Sequence, residues 1–415
     1  AGHLPALELI DCDIPEPISL IHARLHRLSL RDSRIVKLDG RRLNVASNIN
    51  LDGVSSWEEA ESGKEKDDSH TGASERGCCW IRMSGARIGG NLLARAATLC
   101  VRRLEDTYDP KTTKSPYALN LEDSKIAGSI KAQPFFTAIG GVTISNAEIG
   151  GDFWAQGATL EAYADSALNA QTATIGGKLM LRTYPGIPEP RRYTDSENDN
   201  NRYNYESNVL NKKYKIVNKI FKKKSIDYNK IDTYLRFSSH GEIWLFGAHI
   251  GSYIDLSGAI LKGPKEDLDK KQNRNTGKIY SLVFDGAHIG KSIIMQERIC
   301  NLGKFSKIGF KCQGLIKGDD AVVYGSLIAK NAVLNYGKEA VLAPRIVIGG
   351  NLDFNNSKTG QINFNGAKIG GDATFNGGKS KFDPPECPKD DDAVSRDNKC
   401  TVLNLAGVEI NSRLK

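Results

Sequence analysis

Long hydrophobic runs are missing from this chain of 415 residues. No stretch approaches the roughly 18 apolar residues that identify a membrane-spanning helix. The N-terminal sequence AGHLPALELIDCDIPEP also lacks the basic-then-apolar order of a secretory signal peptide. We therefore expect no transmembrane helix and no intact signal peptide, and we favour a cytoplasmic location.

Methionine and aromatic residues are scarce as well. The chain has 3 methionines, and aromatic residues make up 7% of it, against 41 glycines. Helical bundles are built from long apolar side chains and avoid glycine, so this composition argues against one. Glycine-rich β architectures remain open.

Signals for cofactors and metals are absent too. The eight cysteines form no C-x-x-C pair and have no histidines at zinc-ligand spacing, and no P-loop or dinucleotide fingerprint occurs. The sequence therefore predicts no metal and no cofactor. Cys300/Cys312 and Cys387/Cys400 each fall within one loop, so these are the pairs to consider in an oxidising compartment; scattered reduced thiols are the alternative.

Positive charge is concentrated in one segment. The net charge is +8, and between residues 211 and 230 eight lysines stand against a single acid, Asp227. Leu210, Tyr214, Val217 and Phe221 recur there at helical spacing, which predicts an amphipathic basic helix. Seven of its lysines form the candidate binding patch: Lys212, Lys213, Lys215, Lys219, Lys222, Lys223 and Lys224.

This predicted helix has several possible uses. Its lysines could contact a protein partner, an anionic membrane surface or a nucleic acid. Alternatively, its apolar face packs on the rest of the protein and the lysines remain in water. The sequence does not decide between these uses.

What the chain has in abundance is repetition. GAKIGGDATF at Gly366 has near-copies that begin at Gly85, Asn146 and Gly247. Nearer the N-terminus, Leu20, Leu25, Leu30 and Ile35 recur every five residues, preceded two places earlier by Ile18, Ala23, Leu28 and Ser33. A step of five fits neither a helix nor a continued strand, but it fits a very short strand followed by a turn.

The glycine motif follows the same count with one extra residue. Its inward anchors are Ile88, Ile126, Ile149, Ile175, Ile250, Ile289, Val323, Ile348, Ile369 and Ile410, and the next inward residue comes six places later. Glycine reaches positive φ at little cost, so we expect the glycine pair to absorb the extra residue at a widened corner. Three steps of five and one of six give a coil of about 21 residues, as from Ile348 to Ile369.

These pentads, together with SGARI, SGAIL and NGAKI, resemble the pentapeptide-repeat family in a degenerate form. The resemblance implies an all-β fold, a right-handed, four-sided parallel β-helix, also called a β-solenoid. Some members of that family imitate DNA through an acidic exterior, whereas this chain is basic. We expect one continuous solenoid domain with an N-terminal part (1–181) and a C-terminal part (241–415), separated by a basic, partly helical or disordered insertion (182–240).

The other insertions also follow a rule. Each comes one or two short sides after a glycine corner and before the next repeat phrase, which predicts that they line one edge of the rod. Such loops commonly form the binding surface of a solenoid, or they are only tolerated at a permissive corner.

Residues with catalytic potential do not form a convincing set. His249 and His288 occupy a repeat position that other coils fill with Arg87 or Glu148, so we expect them to face the solvent. Asp152 and Asp372 are in register but far apart, and the segment KDDDAVSRD lacks the spacing of an EF-hand. We predict no catalytic residue and no metal ligand.

The sequence therefore predicts a non-catalytic scaffold that presents loops and a basic insertion to a macromolecule, with a protein as the favoured partner. The alternatives are a carbohydrate-active β-helix enzyme and a protein attached to a membrane surface. Because the ends of a solenoid expose unpaired strands, we also expect a homodimer through one end.

Overall fold

The structure is a computed structural model, and it describes residues 4–56, 79–101, 117–184, 235–264, 279–302, 304–375 and 403–415. In these ranges the chain forms β-strands and no helix. Most strands are two or three residues long, as the five-residue step predicts. None of the described segments contains a helix long and apolar enough to cross a membrane.

The strands follow one another in chain order. The first fifteen are β1 (Ala6–Glu8), β2 (Asp13–Ile14), β3 (Ile18–Ser19), β4 (Arg24–Leu25), β5 (Arg27–Ser29), β6 (Arg34–Ile35), β7 (Lys37–Asp39), β8 (Asn44–Val45), β9 (Ile49–Asn50), β10 (Ser55–Ser56), β11 (Trp80–Arg82), β12 (Arg87–Ile88), β13 (Leu92–Leu93), β14 (Thr98–Cys100) and β15 (Leu119–Asn120). The next fifteen are β16 (Lys125–Ile126), β17 (Ile130–Lys131), β18 (Thr137–Ile139), β19 (Val142–Thr143), β20 (Glu148–Ile149), β21 (Phe153–Trp154), β22 (Thr159–Asn169), β23 (Thr174–Ile175), β24 (Leu179–Met180), β25 (Ser238–Trp244), β26 (His249–Ile250), β27 (Ile254–Asp255), β28 (Ile260–Lys262), β29 (Tyr280–Val283) and β30 (His288–Ile289). The last fifteen are β31 (Ile293–Ile294), β32 (Arg298–Leu302), β33 (Lys304–Ile308), β34 (Lys311–Cys312), β35 (Leu315–Lys317), β36 (Val322–Val323), β37 (Leu327–Ile328), β38 (Val333–Leu342), β39 (Val347–Ile348), β40 (Leu352–Asp353), β41 (Lys358–Asn363), β42 (Lys368–Ile369), β43 (Ala373–Thr374), β44 (Leu403–Asn404) and β45 (Glu409–Ile410).

Successive strands occupy four sides in rotation, which we number as faces 1 to 4, and the fold is a parallel β-helix. Face 1 consists of β1, β5, β9, β13, β17, β21, β24, β27, β31, β37, β40 and β43, and face 4 consists of β4, β8, β12, β16, β20, β23, β26, β30, β36, β39, β42 and β45. Face 2 contains β2, β6, β10, β14, β18, β28 and β34, and face 3 contains β3, β7, β11, β15, β19, β29, β35 and β44. The longer strands β22, β25, β38 and β41 run through the corner and belong to both faces 2 and 3.

Pairing between successive coils is parallel and in register. Residues on the two sides of segment 185–234 stack directly, because Ile175 pairs with Ile250 on face 4 and Leu179 pairs with Ile254 on face 1. With strands about 4.8 Å apart, twelve coils give a rod on the order of 50 Å long. The hairpin of β32 and β33 is antiparallel and stands outside this ladder.

The predicted anchors lie inside the rod. Ile149, Ile175, Ile348 and Ile369 are at most 1% exposed, and each stacks on the anchor of the neighbouring coil. The N-terminal pentads behave in the same way, since Leu30 and Ile35 are fully buried. An aliphatic column on every face therefore forms the core, and this confirms the winding deduced from the repeat.

The backbone at the corners differs from the expectation in one respect. Positive φ occurs in β-turns such as Leu20–Ala23, where His22 has a φ of 59° and the Ala23 amide donates to the Leu20 carbonyl at 3.1 Å. Most glycines with positive φ begin the repeat phrase, including Gly85 at 69° and Gly366 at 68°, whereas Gly140, Gly141 and Gly241 lie elsewhere. The prediction that the glycine pairs after the anchors use positive φ is wrong, because none of these pairs in the described coils does so.

The glycine pair is required by close approach between coils. A Cβ atom on Gly176 would lie 2.4 Å from the carbonyl oxygen of Gly150 in the preceding coil, and a Cβ on Gly177 would lie 2.0 Å from Oδ1 of Asp152. Distances this short are repulsive, so any side chain forces a local shift of the coil.

The residue after each glycine pair forms a polar ladder along the rod. Its side-chain oxygen accepts the backbone N–H of the equivalent residue in the next coil, as in Asn48 to Asn91 (2.6 Å), Asn91 to Ser129 (2.9 Å), Ser129 to Asp152 (3.0 Å), Asp152 to Lys178 (2.7 Å), Ser292 to Ser326 (3.0 Å), Ser326 to Asn351 (2.9 Å) and Asn351 to Asp372 (2.9 Å). The second glycine leaves room for this oxygen. In the coil that follows Lys178 the second glycine is replaced by Ser252, and in the coil that follows Tyr253 it is replaced by Lys291.

We expect Gly177→Ser to destabilise the protein by roughly 1–3 kcal/mol, because its Cβ would collide with the Asp152 carboxylate. The same change should cost much less in an Asp152→Lys background, which reproduces the natural combination of Lys178 and Ser252. Urea denaturation of the two single variants and the double variant measures this coupling. Purely additive losses would contradict the role assigned to the contact.

Candidate binding face

Chain segments that leave the coils do so around face 2. Segments 57–78, 102–116 and 265–278 connect face 2 to face 3, while segment 185–234 and the β32–β33 hairpin lie between faces 1 and 2. Segment 376–402 lies between faces 1 and 3. The insertions therefore cluster on one side as predicted, but they use both corners of face 2 and not a single edge.

Faces 1 and 4 meet at the glycine corner, and no insertion interrupts that corner in any described coil. The reason is the close approach described above, because the glycine pair and the polar ladder leave no space for extra chain. Face 2 is the side opposite face 4, so the insertions leave and rejoin the rod away from face 4.

Three titratable side chains stand side by side on the exterior of face 2. Glu161 of β22 is in register with His240 of β25, which is in register with Lys262 of β28. All three are half-buried, while the preceding residues Leu160 and Leu261 are buried in the core. Adjacent strands are about 4.8 Å apart, so a carboxylate, an imidazole and an ammonium group form one row, which we call the face 2 row.

A buried charge cluster lies at the corner of faces 1 and 2. The Asp255 side chain is 6% exposed and pairs with Arg182 at 2.6 Å and with Arg298 at 3.9 Å. Its Oδ1 also accepts the backbone N–H of Ser257 at 2.9 Å. Two guanidinium groups thus share one carboxylate.

A chain of amides extends this cluster along the corner. When the Gln156 amide oxygen faces Arg182, it accepts from Nη2 at 2.8 Å and from Nε at 2.6 Å, and its nitrogen donates to Gln133 at 2.6 Å. Arg182 lies two residues before Tyr184, whose N–H donates to the Leu235 carbonyl at 2.7 Å. Segment 185–234 therefore departs and returns at one point beside the Asp255 cluster.

Several residues singled out in the sequence lie outside the described residues. These are the basic patch, Lys212, Lys213, Lys215, Lys219, Lys222, Lys223 and Lys224, together with the KDDDAVSRD segment and the pair Cys387/Cys400. The described coordinates do not test these predictions. Segment 185–234, which contains the basic patch, begins and ends at the side of face 2.

The two histidines of the repeat face outward as predicted. His249 and His288 are neighbours on face 4, and their rings stack with a centroid separation of 5.0 Å and an interplanar angle of 10°. Asp152 and Asp372 serve the polar ladder instead of a catalytic site. Lys415 and Ser412 lower the pKa of Asp372, since both donate to its carboxylate, and Arg413 adds a favourable charge.

Four cysteines are free thiols: Cys12, Cys79, Cys100 and Cys312. Cys312 is a free, buried thiol, so a Cys300–Cys312 disulfide is absent. Burial raises the pKa of Cys312 to about 12. Burial, with the neighbouring Cys100 as a smaller cause, also raises the pKa of Cys79. Where the coordinates are described, no group of three His, Cys, Asp or Glu side chains could hold a metal ion.

Face 4 carries a shallow, open groove of about 620 Å³ on its N-terminal half. The outward column of Asn44, Arg87, Lys125, Glu148 and Thr174 lines it together with the first glycines of the corner. Because the glycine corner has no side chains, the groove is bounded on one side only. It is a contact surface and not an enclosed pocket.

Sequence reasoning missed the face 2 row and the Asp255 cluster. In the row, Glu161 is 79 residues from His240, and His240 is 22 residues from Lys262. In the cluster, Asp255 is 73 residues from Arg182 and 43 residues from Arg298. Insertions of unequal length lie between these positions. The polar ladder had a signal that could have been found, because the residue after each glycine pair is usually Asn, Ser or Asp.

No protein-family model, curated protein or solved structure matches this chain. The resemblance to pentapeptide repeats therefore stays an interpretation of the sequence pattern. In the described residues the fold is an all-β parallel solenoid.

We expect Asp255→Asn to lower the free energy of unfolding by about 3 kcal/mol, because it removes the negative charge of the buried carboxylate that pairs with the Arg182 and Arg298 guanidinium groups. Asp353→Asn is the matched control, since Asp353 is also on the exterior of face 1 and, among the described residues, its carboxylate accepts the Asn355 amide alone. We expect the control to lose less than about 1 kcal/mol. Equal losses in urea denaturation would contradict the role of the cluster.

We expect Cys312 to resist alkylation in the folded protein at pH 8, because its raised pKa leaves almost no thiolate and its side chain is buried. Cys12 and Cys100 are half-exposed and should react at least tenfold faster. Peptide mapping after timed treatment with iodoacetamide measures each site. Reaction of Cys312 at the rate of Cys12 would show that the native coil opens there.

Proposed function

We propose that this protein is a non-catalytic β-solenoid that binds a protein partner at face 2. The observation that carries the proposal is the segregation of the rod into one side flanked by insertions and an opposite side that is smooth. Loops on a rigid scaffold are the usual location of binding residues. Face 2 is the only side bounded by insertions at both corners, judged over the described coils.

The chemistry of face 2 favours a polar, charged partner surface. The face 2 row offers a carboxylate beside two basic groups, and the Asp255 cluster adds two half-buried guanidinium groups at the root of segment 185–234. Arginine clusters of this kind recognise carboxylates through paired hydrogen bonds. An acidic segment of the partner is therefore the best fit to this corner.

The hydrogen bonds and ion pairs of three acidic residues argue against a hydrolytic role for the rod. Asp152 and Asp372 accept backbone amides of the ladder, and Asp255 is neutralised by arginine. General acid–base catalysis needs carboxylates that can exchange protons with a substrate. These three are already engaged.

The face 2 row supports one alternative, a carbohydrate-active enzyme in which Glu161 and His240 exchange protons with a substrate. The two proposals differ in a direct assay. An enzyme releases product from a panel of polysaccharides and loses this activity with Glu161→Gln, whereas a scaffold releases none.

The binding proposal is tested by affinity capture with quantitative mass spectrometry. One variant replaces segment 185–234 by a short Gly/Ser linker, which the Tyr184–Leu235 hydrogen bond allows because the ends of the segment adjoin. A second variant combines Glu161→Gln, His240→Gln and Lys262→Gln. We expect a partner captured by the native chain to be reduced at least tenfold with both variants.

The control is Arg24→Gln, an exposed change on the opposite face 4. Capture should be unchanged with this control. Equal capture by the native chain and both face 2 variants would exclude face 2 as the binding site. Binding of anionic vesicles that depends on segment 185–234 would instead favour membrane attachment.

A further inference from the structure

The outward column of face 4 has an ordered charge sequence. In chain order the residues are Arg24, Asn44, Arg87, Lys125, Glu148, Thr174, His249, His288, Val322, Val347, Lys368 and Glu409. The last nine positions of this column run from Lys125 to Glu409. They begin with the ion pair Lys125–Glu148 at 2.6 Å and end with the ion pair Lys368–Glu409 at 3.4 Å. The five residues between the pairs carry no permanent charge.

Exposed apolar side chains lie on or beside this uncharged stretch. Tyr324 is 63% exposed at the corner beside Val323, and Val347 is 37% exposed on the column. Phe246 is 43% exposed in the turn that leads into β26 and stacks on Trp244 at 6.4 Å. Among described residues, the remaining exposed large apolar side chains are Leu4, Ile10, Ile21 and Leu414, which belong to the first and last coils.

We propose that face 4 is a self-association surface on which a second copy of this chain packs antiparallel, with the two-fold axis at His288. In that arrangement Lys125 faces Glu409 of the second copy, and Glu148 faces Lys368. Thr174 faces Val347, His249 faces Val322, and His288 faces its own equivalent. Each contact occurs twice except the central one, as two-fold symmetry requires.

Charge complementarity selects this register against its neighbours. A shift by one coil in one direction places Glu148 opposite Glu409, and a shift in the other direction places Lys125 opposite Lys368. Like charges across an interface are strongly unfavourable, so the neighbouring registers are disfavoured. Within the chosen register every charge of the nine-coil overlap meets its opposite.

The regularity of the rod keeps the match along its length. Both copies have the same spacing of about 4.8 Å between coils, so residues that match at the centre match at the ends. Most positions of the corner between faces 4 and 1 are glycine, the exposed side chains of Lys291 and Tyr324 lie at this corner within the overlap, and the insertions leave from the opposite side. Face 2 of each copy stays outward and accessible in the pair.

The area predicts a weak dimer. Nine coils make a strip about 40 Å long, and a side of two strand residues with its corners is on the order of 10–15 Å wide. This gives roughly 400–600 Å² per partner, at the low end of specific interfaces. A dissociation constant in the micromolar range is therefore expected.

Sedimentation velocity of the full chain between about 1 and 300 µM tests the association. We expect a monomer–dimer equilibrium whose dissociation constant rises at least tenfold with Glu148→Lys, because this residue then faces Lys368 of the second copy. Adding Lys368→Glu should restore the constant to within about threefold of the native one, since each variant lysine then faces a glutamate. A monomer at all concentrations, or no rescue in the double variant, overturns the proposal.

Cysteine cross-linking locates the axis independently. His288→Cys places two thiols at the axis, whereas the matched variant Thr174→Cys places them four coils apart, about 19 Å, beyond disulfide reach. We expect an oxidised dimer with the first variant and only the native background with the second. Equal cross-linking by both, or a concentration-dependent dimer that neither variant cross-links, such as an end-to-end dimer, overturns the arrangement. Melting temperatures close to the native value confirm that the variants are folded.

Discussion

Backbone hydrogen bonds between successive coils hold this protein together, because apart from the β32–β33 hairpin the described strands find their partners in the coil before or after. The aliphatic column inside works with these bonds. Ile149, Ile175 and Ile250 can stack only if each coil repeats the winding of its neighbour. A repeat that breaks the count therefore loses both the hydrogen bonds and the core, and this explains why the phrase is repeated so often.

Close stacking also decides what the corners can tolerate. At the corner between faces 4 and 1, the first glycine lies against a carbonyl oxygen and the second against the oxygen of the polar ladder. Where the second glycine faces an oxygen of the polar ladder, as Gly177 faces Asp152, a side chain does not fit without moving the coil. At the corners of face 2 this constraint is absent, and long segments such as 185–234 leave and rejoin the rod without disturbing faces 1 and 4.

The two sides that result have different chemistry. Face 2 combines half-buried titratable groups with the roots of the insertions, whereas face 4 presents a single column of side chains with a central uncharged stretch. A dimer through face 4 would direct two copies of face 2 outward. Two linked binding surfaces raise the apparent affinity for a repeated or polymeric partner, so the proposed function and the proposed dimer would reinforce each other.

By itself the sequence determined the winding of the rod, because inward residues must recur whenever the chain completes a lap. The anchors follow from that count and agree with the described coils, whereas the insertions use both corners of face 2 and not the single edge that the count predicted. Only the tertiary structure shows why the glycine pairs are needed and where the candidate site lies. Asp152 lies next to Gly177, and Glu161 lies next to His240, only after the coils are stacked, and insertions of unequal length hide such vertical neighbours from any linear pattern.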